Sequence, residues 1–419
     1  MGKTKPHKAW LMLFGCCMLQ GGSLGLIHNC RGIFYAPIIE DLGFGMGAFT
    51  FFLFFFGICS CAILPFISRF FKRIDSRLLL GGASAVFAGT VILMGFFNTL
   101  PAFYIAGAAQ GVAGAFLLYY PVPLILGNWF KERLGFAVGA SSSISGLVGA
   151  IANPLGSAII ERFGWRVGYW AMGGLSFVML VPISVFLLRV RPEDCGLRPY
   201  GESEETKKET LSYGNGITAR EVKRSPHFWL LIFCGLLFSM ACAYYSHLSP
   251  FGTYVGYGAS LASLLVSFSM VGNVVGKLAL GHMHDRRGLD KTLLVGTLLG
   301  SLGIALLLIN NYAVRAFGSL VSGAEMAMST VMVAVAVKDI YGRECYGDLL
   351  PFTSIAATFG CTFMIMIIGY IVDALGSDVG YPVSFVVCLA MSLLSGLLLI
   401  VAVHGGRRLV KEHGTHPVS

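Results

Sequence analysis

The chain reads as an all-α membrane protein of twelve transmembrane helices in two six-helix bundles, with both termini cytoplasmic. Three observations predict this: the composition, the length of the apolar runs, and the placement of lysine and arginine. Of 419 residues, 56% are apolar and 12% charged, against about 45–50% and about 25% in soluble domains. The mean hydropathy is +0.75. Such a composition excludes a soluble enzyme, a disordered chain and a nucleic-acid binder, despite a formal net charge of +9. The 54 glycines agree with it, because Gly is more frequent in membrane helices than in soluble ones.

Runs of about 18 or more apolar residues are long enough to cross a hydrocarbon layer about 30 Å thick. Six lie in the first half, near 9–36, 47–68, 78–98, 101–127, 134–160 and 167–188. Six follow in the second, near 227–250, 259–283, 292–310, 314–337, 348–372 and 381–403. The alternation of a membrane barrel is absent, so helices satisfy the backbone. The first run lacks a small-residue cleavage site and is expected to remain as an anchor. With the N-terminus placed inside, 25 of the 30 Lys and Arg residues fall in cytoplasmic segments. Arg162, Arg166 and Arg315 are expected in outer loops, and Arg31 and Lys277 within spans. That asymmetry is the positive-inside rule, and it accounts for the net charge by topology and lipid attraction. The expected location is the cell membrane, multi-pass. The eleven cysteines have no metal-ligand spacing and read as small core residues.

Residues 189–226 form one long polar stretch between the two sets of spans. The expected organisation is a bundle over 1–188, a partly flexible cytoplasmic linker over 189–226, a second bundle over 227–404 and a tail over 405–419. The halves rhyme. Arg69–Arg77 follows the second span as Gly281–Gly288 and Lys291 follow the eighth. Asn128–Arg133 precedes the fifth as Lys338–Cys345 precedes the eleventh. In such parallel repeats, binding sites lie between the halves near the midplane.

Gly281-His282-Met283-His284-Asp285-Arg286-Arg287-Gly288 resembles the cytoplasmic loop signature of the major facilitator superfamily, and the resemblance covers nearly the whole chain. Three segments resemble the monocarboxylate transporter and oxalate/formate antiporter branch. They are Asn128-Trp129-Phe130 with Arg133–Ala137, Gly139, Gly146, Pro154 and Gly164–Arg166; Arg191–Gly201; and Asn273 with Lys277 and Gly281. The resemblance implies that spans one, four, seven and ten line a cavity, helped by two, five, eight and eleven. Spans three, six, nine and twelve would face lipid, and their centres carry no charge.

A charge at the bilayer centre costs about 2.5–3.5 kcal/mol on insertion scales, so each one marks a candidate site. Lys277 matches the basic residue that the branch uses on the eighth helix to engage a substrate carboxylate. A cation attracts an anion at about 4 Å by about 4 kcal/mol at an effective dielectric near 20, against about 1 kcal/mol in water. A structural pair with Glu325, or snorkelling toward the cytoplasm, is the plainer alternative. Three roles are open to Glu325: proton carrier, counter-ion of Lys277, or packing. Arg31 either draws anions at the outer mouth, snorkels, or pairs with Glu40 or Asp41. Asn273 stands where proton-coupled relatives carry an acid, and an amide cannot relay a proton. The eleventh helix lacks the lysine of oxalate exchangers in Pro351–Ala357, so a single cavity cation suits a monoanion.

Gln20, Tyr35, Gln110, Tyr119, Tyr120, Tyr244, Tyr245 and His247 are secondary binding candidates, with interfacial belt or packing roles as the alternative. Asp285, Arg286 and Lys291, with Arg133, are the expected cytoplasmic gate, pairing in one state and parting in another. Glycines 107, 111 and 114, and the small residues from Gly139 to Ala150, suit either sliding or static helix contacts. No phosphate-binding loop, nucleophile–base pair or metal cluster appears, so neither an enzyme nor a cofactor is expected. The expected function is secondary transport of a small organic anion, possessing as partners that anion, a proton or exchanged anion, and membrane lipid, by a monomer with no nucleic acid bound. A proton-coupled exporter of hydrophobic compounds is one rival, and a non-transporting ligand sensor on the same scaffold another.

Overall fold

A computed structural model describes residues 7–118, 120–201 and 218–414, excluding the side chains of Lys72, Arg343, Glu344 and residues 412–414. The described chain is helical, with no strand beyond one isolated bridge between Phe130 and Tyr200. The first half runs α1 (Lys8–Leu42), α2 (Met46–Phe71), α3 (Ser76–Met94), α4 (Leu100–Ala115), α5 (Leu134–Phe163) and α6 (Trp165–Leu187). The second runs α7 (Pro226–Tyr254), α8 (Gly258–Arg287), α9 (Leu289–Leu306), α10 (Tyr312–Gly342), α11 (Cys345–Leu375) and α12 (Ser377–Lys411). Eleven of these are long and apolar enough to cross a membrane. The exception is α4, where a turn at Phe116–Leu118 precedes a second helix, Pro121–Trp129. Pro121 and Pro123 suit the start of that second helix, where a missing N–H costs nothing.

The repeat seen in the sequence recurs in the backbone. Gly342 joins α10 to α11 with φ of 86°, and its counterpart before α5 is Arg133, at φ 57° the one non-glycine residue in the left-handed region among those described. Both corners turn the chain sharply between an outgoing and an incoming helix. Helices α1 and α7 break at the same place: His28–Phe34 and Cys242–His247 wind as 3₁₀ segments, in α1 after a π-helical stretch at Gly21–Gly25. The two breaks meet. Gly32 lies against the Ser246 carbonyl, with no room for a Cβ.

The end of the molecule holding Lys8, the 189–201 segment and Lys411 is here called the terminal end, and the opposite one the far end. At the terminal end, the start of the expected linker is docked. Asn128 Nδ2 donates to the Val190 carbonyl at 3.0 Å and Trp129 Nε1 to the Arg189 carbonyl at 2.8 Å. The Tyr200 N–H reaches the Trp129 carbonyl at 2.8 Å, and the Tyr200 ring joins Trp10 and Phe130. Only 202–217 within that expected linker lie outside the described residues.

One buried cluster spans both bundles, uniting residues such as Phe49, Phe56 and Tyr35 with Tyr245, Phe251, Ile368 and Tyr381. A second, built on Phe228, Leu280, Met332 and Tyr341, belongs to the second bundle alone at the terminal end. The shared core therefore sits toward the far end.

Candidate functional site

Two long helix pairs, together with the α1–α7 contact at Gly32 and Ser246, form the seam between the bundles. Along α5 and α8, Ser157 donates to the Ala259 carbonyl at 3.0 Å, Ser260 to Glu161 at 3.2 Å, and Ser267 to the Ala150 carbonyl at 2.8 Å. Gly146 closes the series against Val274 and the Met270 carbonyl. Beyond it, toward the terminal end, a Cβ on Gly139 would meet no heavy atom within 4 Å, and Phe136 and Leu278 are over half exposed. Along α2 and α11, contact runs from Met46 and Asp373 at the far end to Cys61 and Ile355. The seam is thus closed over the far half.

Lys277 stands where α5 and α8 separate. It is half-buried, and its ammonium makes no hydrogen bond or ion pair among the described residues. Asn273 lies one turn toward the far end on the same helix face. It is buried, and its Oδ1 has no hydrogen-bond partner among the described residues. The register of this face is set by glycine: Gly272 sits on the Leu320 carbonyl of α10, and Gly276 on Ala324 and Ala327. With those two turned to α10, Asn273 and Lys277 point about 100° further round.

Glu325 does not reach Lys277. Gly323 faces α8, pressed on Gly272 and Asn273. Two residues of α-helix rotate by about 200°, so Glu325 is carried to the opposite side of α10. There it is buried against Gly300 of α9, and its Oε2 accepts a hydrogen bond from Ser392 of α12 at 2.8 Å. Ser392 is also 2.8 Å from Ser301, and Oε1 has no partner. The counter-ion contact expected as one alternative is not made, because helix phase separates the two side chains.

Arg31 is buried and turned into the first bundle. Its Nη2 donates to Gln110 Oε1 at 3.2 Å, and its guanidinium lies 4.4 Å from the Phe56 ring centre. The space beside them, among Phe52, Met94, Gln110 and Met172, is about 20 Å³. That is room for about one water, so Arg31 and Gln110 do not line an organic-acid-sized cavity here. Asp41, one expected partner of Arg31, instead accepts from Trp165 Nε1 at 2.9 Å and Arg166 at 2.8 Å. Arg315 departs from its expected outer loop. It is buried in the first turn of α10, donating to the Leu307 carbonyl at 3.1 Å and to the Tyr257 hydroxyl at 2.6 Å.

The secondary candidates divide. Tyr245 reaches His28 Nδ1 across the seam at 3.2 Å, and Tyr35 packs edge-on against His247. These join the two 3₁₀ breaks. His247 Nε2 donates in turn to the Ile365 carbonyl at 2.9 Å. Tyr244 bonds the Ser322 carbonyl within its own bundle, and Gln20 the Leu118 carbonyl within the other. Tyr120 packs on Phe71, and Tyr119 lies outside the described residues. Of the small-residue stripes, Gly107 and Gly111 rest on the Phe52 and Phe56 carbonyls inside one bundle, which is static packing. Within the second group, Gly146 and the Ala150 carbonyl touch the other bundle.

The expected gate residues Arg133, Arg286 and Lys291 are exposed and make no ion pair among the described residues, while Asp285 approaches only His284, at 3.7 Å. The terminal-end pairs that do form tie the second bundle to itself: His284 to Asp339, and Arg407 to Asp290 at 2.7 Å. Sequence reasoning passed over His28, which stood only as a neighbour of Arg31, and Asp339, which stood unremarked beside Lys338.

The family model described as Major Facilitator Superfamily matches residues 13–288 and 248–417. An MFS-type transporter, pynF, of Aspergillus niger is 26% identical over 84% of this chain and 74% of its own. Monocarboxylate transporter 12 of Rattus norvegicus is 25% identical over 78% of this chain and 71% of its own. Among solved structures, the nucleoside transporter NupG superposes with a TM-score of 0.68 at 12% identity, covering 94% of this chain and 99% of that one. A bacterial homolog of the human lysosomal transporter Spinster, inward-facing and unoccupied, gives 0.66 at 14% identity, covering 99% and 100%.

Proposed function

The chain belongs to the Major Facilitator Superfamily, a non-enzymatic membrane transporter with monocarboxylate-transporter relatives, and on that premise we propose that its cargo is a small organic anion of the monocarboxylate kind. The observation that carries this reading is Lys277: a half-buried ammonium, without a counter-charge among the described residues, at the point where α5 and α8 separate. A carboxylate is the natural complement of that group, since a cation in a narrowing, poorly solvated passage gains several-fold more from an anion than in bulk water. Asn273 supports the same site. Its buried, unpartnered carbonyl oxygen accepts a hydroxyl or a water at the cargo's other end.

On this reading the terminal end is cytoplasmic, and the structure stands closed to the outside and parted toward the cytoplasm. Cargo released from Lys277 leaves past Gly139 and Phe136. Alternating access then requires the far half of the seam to open while the terminal half closes, bringing Arg133 and Asp285 toward opposing charges. The exporter reading draws its support from Glu325, a buried carboxyl that makes no ion pair among the described residues; its place between α9, α10 and α12 is remote from Lys277.

The test is uptake of radiolabelled C2–C4 monocarboxylates into proteoliposomes. Lys277→Gln is expected to abolish uptake with the melting temperature unchanged. Undiminished uptake removes Lys277 and the anion assignment with it.

A further inference from the structure

We infer that Asp373 is a gating residue: from the last turn of α11 it caps the first turn of α2, in the other bundle, and so holds the far end shut. Its Oδ1 accepts the Met46 N–H at 2.8 Å and its Oδ2 the Gly47 N–H at 2.7 Å. These N–H groups open α2 and have no acceptor within that helix. A carboxylate there also meets the positive end of the helix dipole. The capping residue usually comes from the chain just before a helix. Here that position is Gly45, which carries no side chain, and Asp373 takes the role from more than 320 residues away.

The fit is built. A Cβ on Gly45 would stand 2.8 Å from Asp373 Oδ2. Gly47 lies under the Tyr370 ring, and Gly369 packs on Thr50 and Gly47. Asp373 makes no ion pair among the described residues. Within its own helix it is badly placed, because a negative charge in a final turn opposes the dipole. A residue that costs its own helix and caps another is stabilising only while the two touch. When the far end opens, both N–H groups and the carboxylate must be taken over by water. The contact therefore biases the alternating-access equilibrium toward the far-end-closed state, whatever the cargo.

The experiment measures distances between spin labels on unnatural amino acids at Thr99 and Asn310, exposed far-end positions in the two bundles. It is run on purified full-length protein without added solute. Two charge-assisted bonds at a half-exposed site bias the closed state about tenfold. Asp373→Ala is expected to raise the long-distance population about tenfold relative to the closed one, with Asp373→Asn between it and the parent. Asp378→Asn, which removes a nearby far-end charge from the first turn of α12, is expected to leave the distribution unchanged. The proposal is overturned if Asp373→Ala keeps the parent distribution, or if Asp378→Asn shifts it equally. Should Asp373→Ala fail to fold, the near-isosteric Asp373→Asn decides in the same way.

Discussion

Replacing Gly323 by alanine tests the packing that aims Asn273 and Lys277. Gly323 of α10 faces Gly272 and Asn273 of α8 so closely that an added methyl overlaps their backbone atoms. Overpacking a core costs about 1–3 kcal/mol, and a clash with backbone has no side chain to rotate aside, so about 3 kcal/mol is expected. Unfolding entropy of about 2.1 cal/mol/K per residue over a chain of this length means just under about 1 kcal/mol per degree, hence a fall of about 3 °C in Tm. Gly281→Ala is the control, with no heavy atom within 4 Å of the new methyl. It exchanges a helix-interior glycine for the best helix former, worth about 1 kcal/mol, so Tm should hold or rise. Differential scanning fluorimetry in one detergent compares the three proteins. A Gly323→Ala variant that melts with the parent refutes the claim that backbone contact fixes the α8–α10 register.

Glu325→Gln retains a partner for Ser392 and removes no counter-charge from Lys277, so carboxylate affinity should change less than twofold by equilibrium binding; a tenfold change would reinstate the ion pair. Asn128→Ala unties the Val190 carbonyl and Trp129→Phe the Arg189 carbonyl, each worth about 1 kcal/mol. Trypsin cleavage after Arg189 (Arg191 and Arg198 each precede a proline and resist trypsin) should then accelerate severalfold in both variants, and an unchanged rate would show that the segment is held elsewhere.

Much of the fold was legible because the bilayer imposes a simple rule: a spanning helix must be long and apolar. Eleven of the predicted spans fall on helices long and apolar enough to cross a membrane, with ends that differ by up to several residues. α10 and α12 overrun their predicted spans at the terminal end because polar residues such as Lys338 and Arg407 extend a helix into water. The break after α4 was hidden because Phe116–Leu118 is as apolar as its flanks. The candidate site was only half legible. Lys277 and Asn273 share a face by spacing alone. The separation of Glu325 from Lys277 depends on the phase of α10, and that is set by Gly323 meeting Gly272, a contact no periodicity announces. For Arg31 the sequence left anion attraction, snorkelling and pairing with Glu40 or Asp41 open, whereas Gln110 and Phe56, far off in sequence, enclose it. The 3₁₀ breaks in α1 and α7 escaped notice for the same reason: each is stabilised by the other across the seam.

The central claim is that a lone ammonium receives the cargo's negative charge. Its most direct test is equilibrium binding of C2–C4 carboxylates and of their matching neutral amides, to the parent protein and to Lys277→Gln. A charge-assisted contact of about 1.5–3 kcal/mol corresponds to roughly ten- to hundredfold. Carboxylates should bind the parent that much more tightly than amides, and the preference should vanish in Lys277→Gln. Equal binding of acid and amide to the parent, or a preference that survives the substitution, would contradict it.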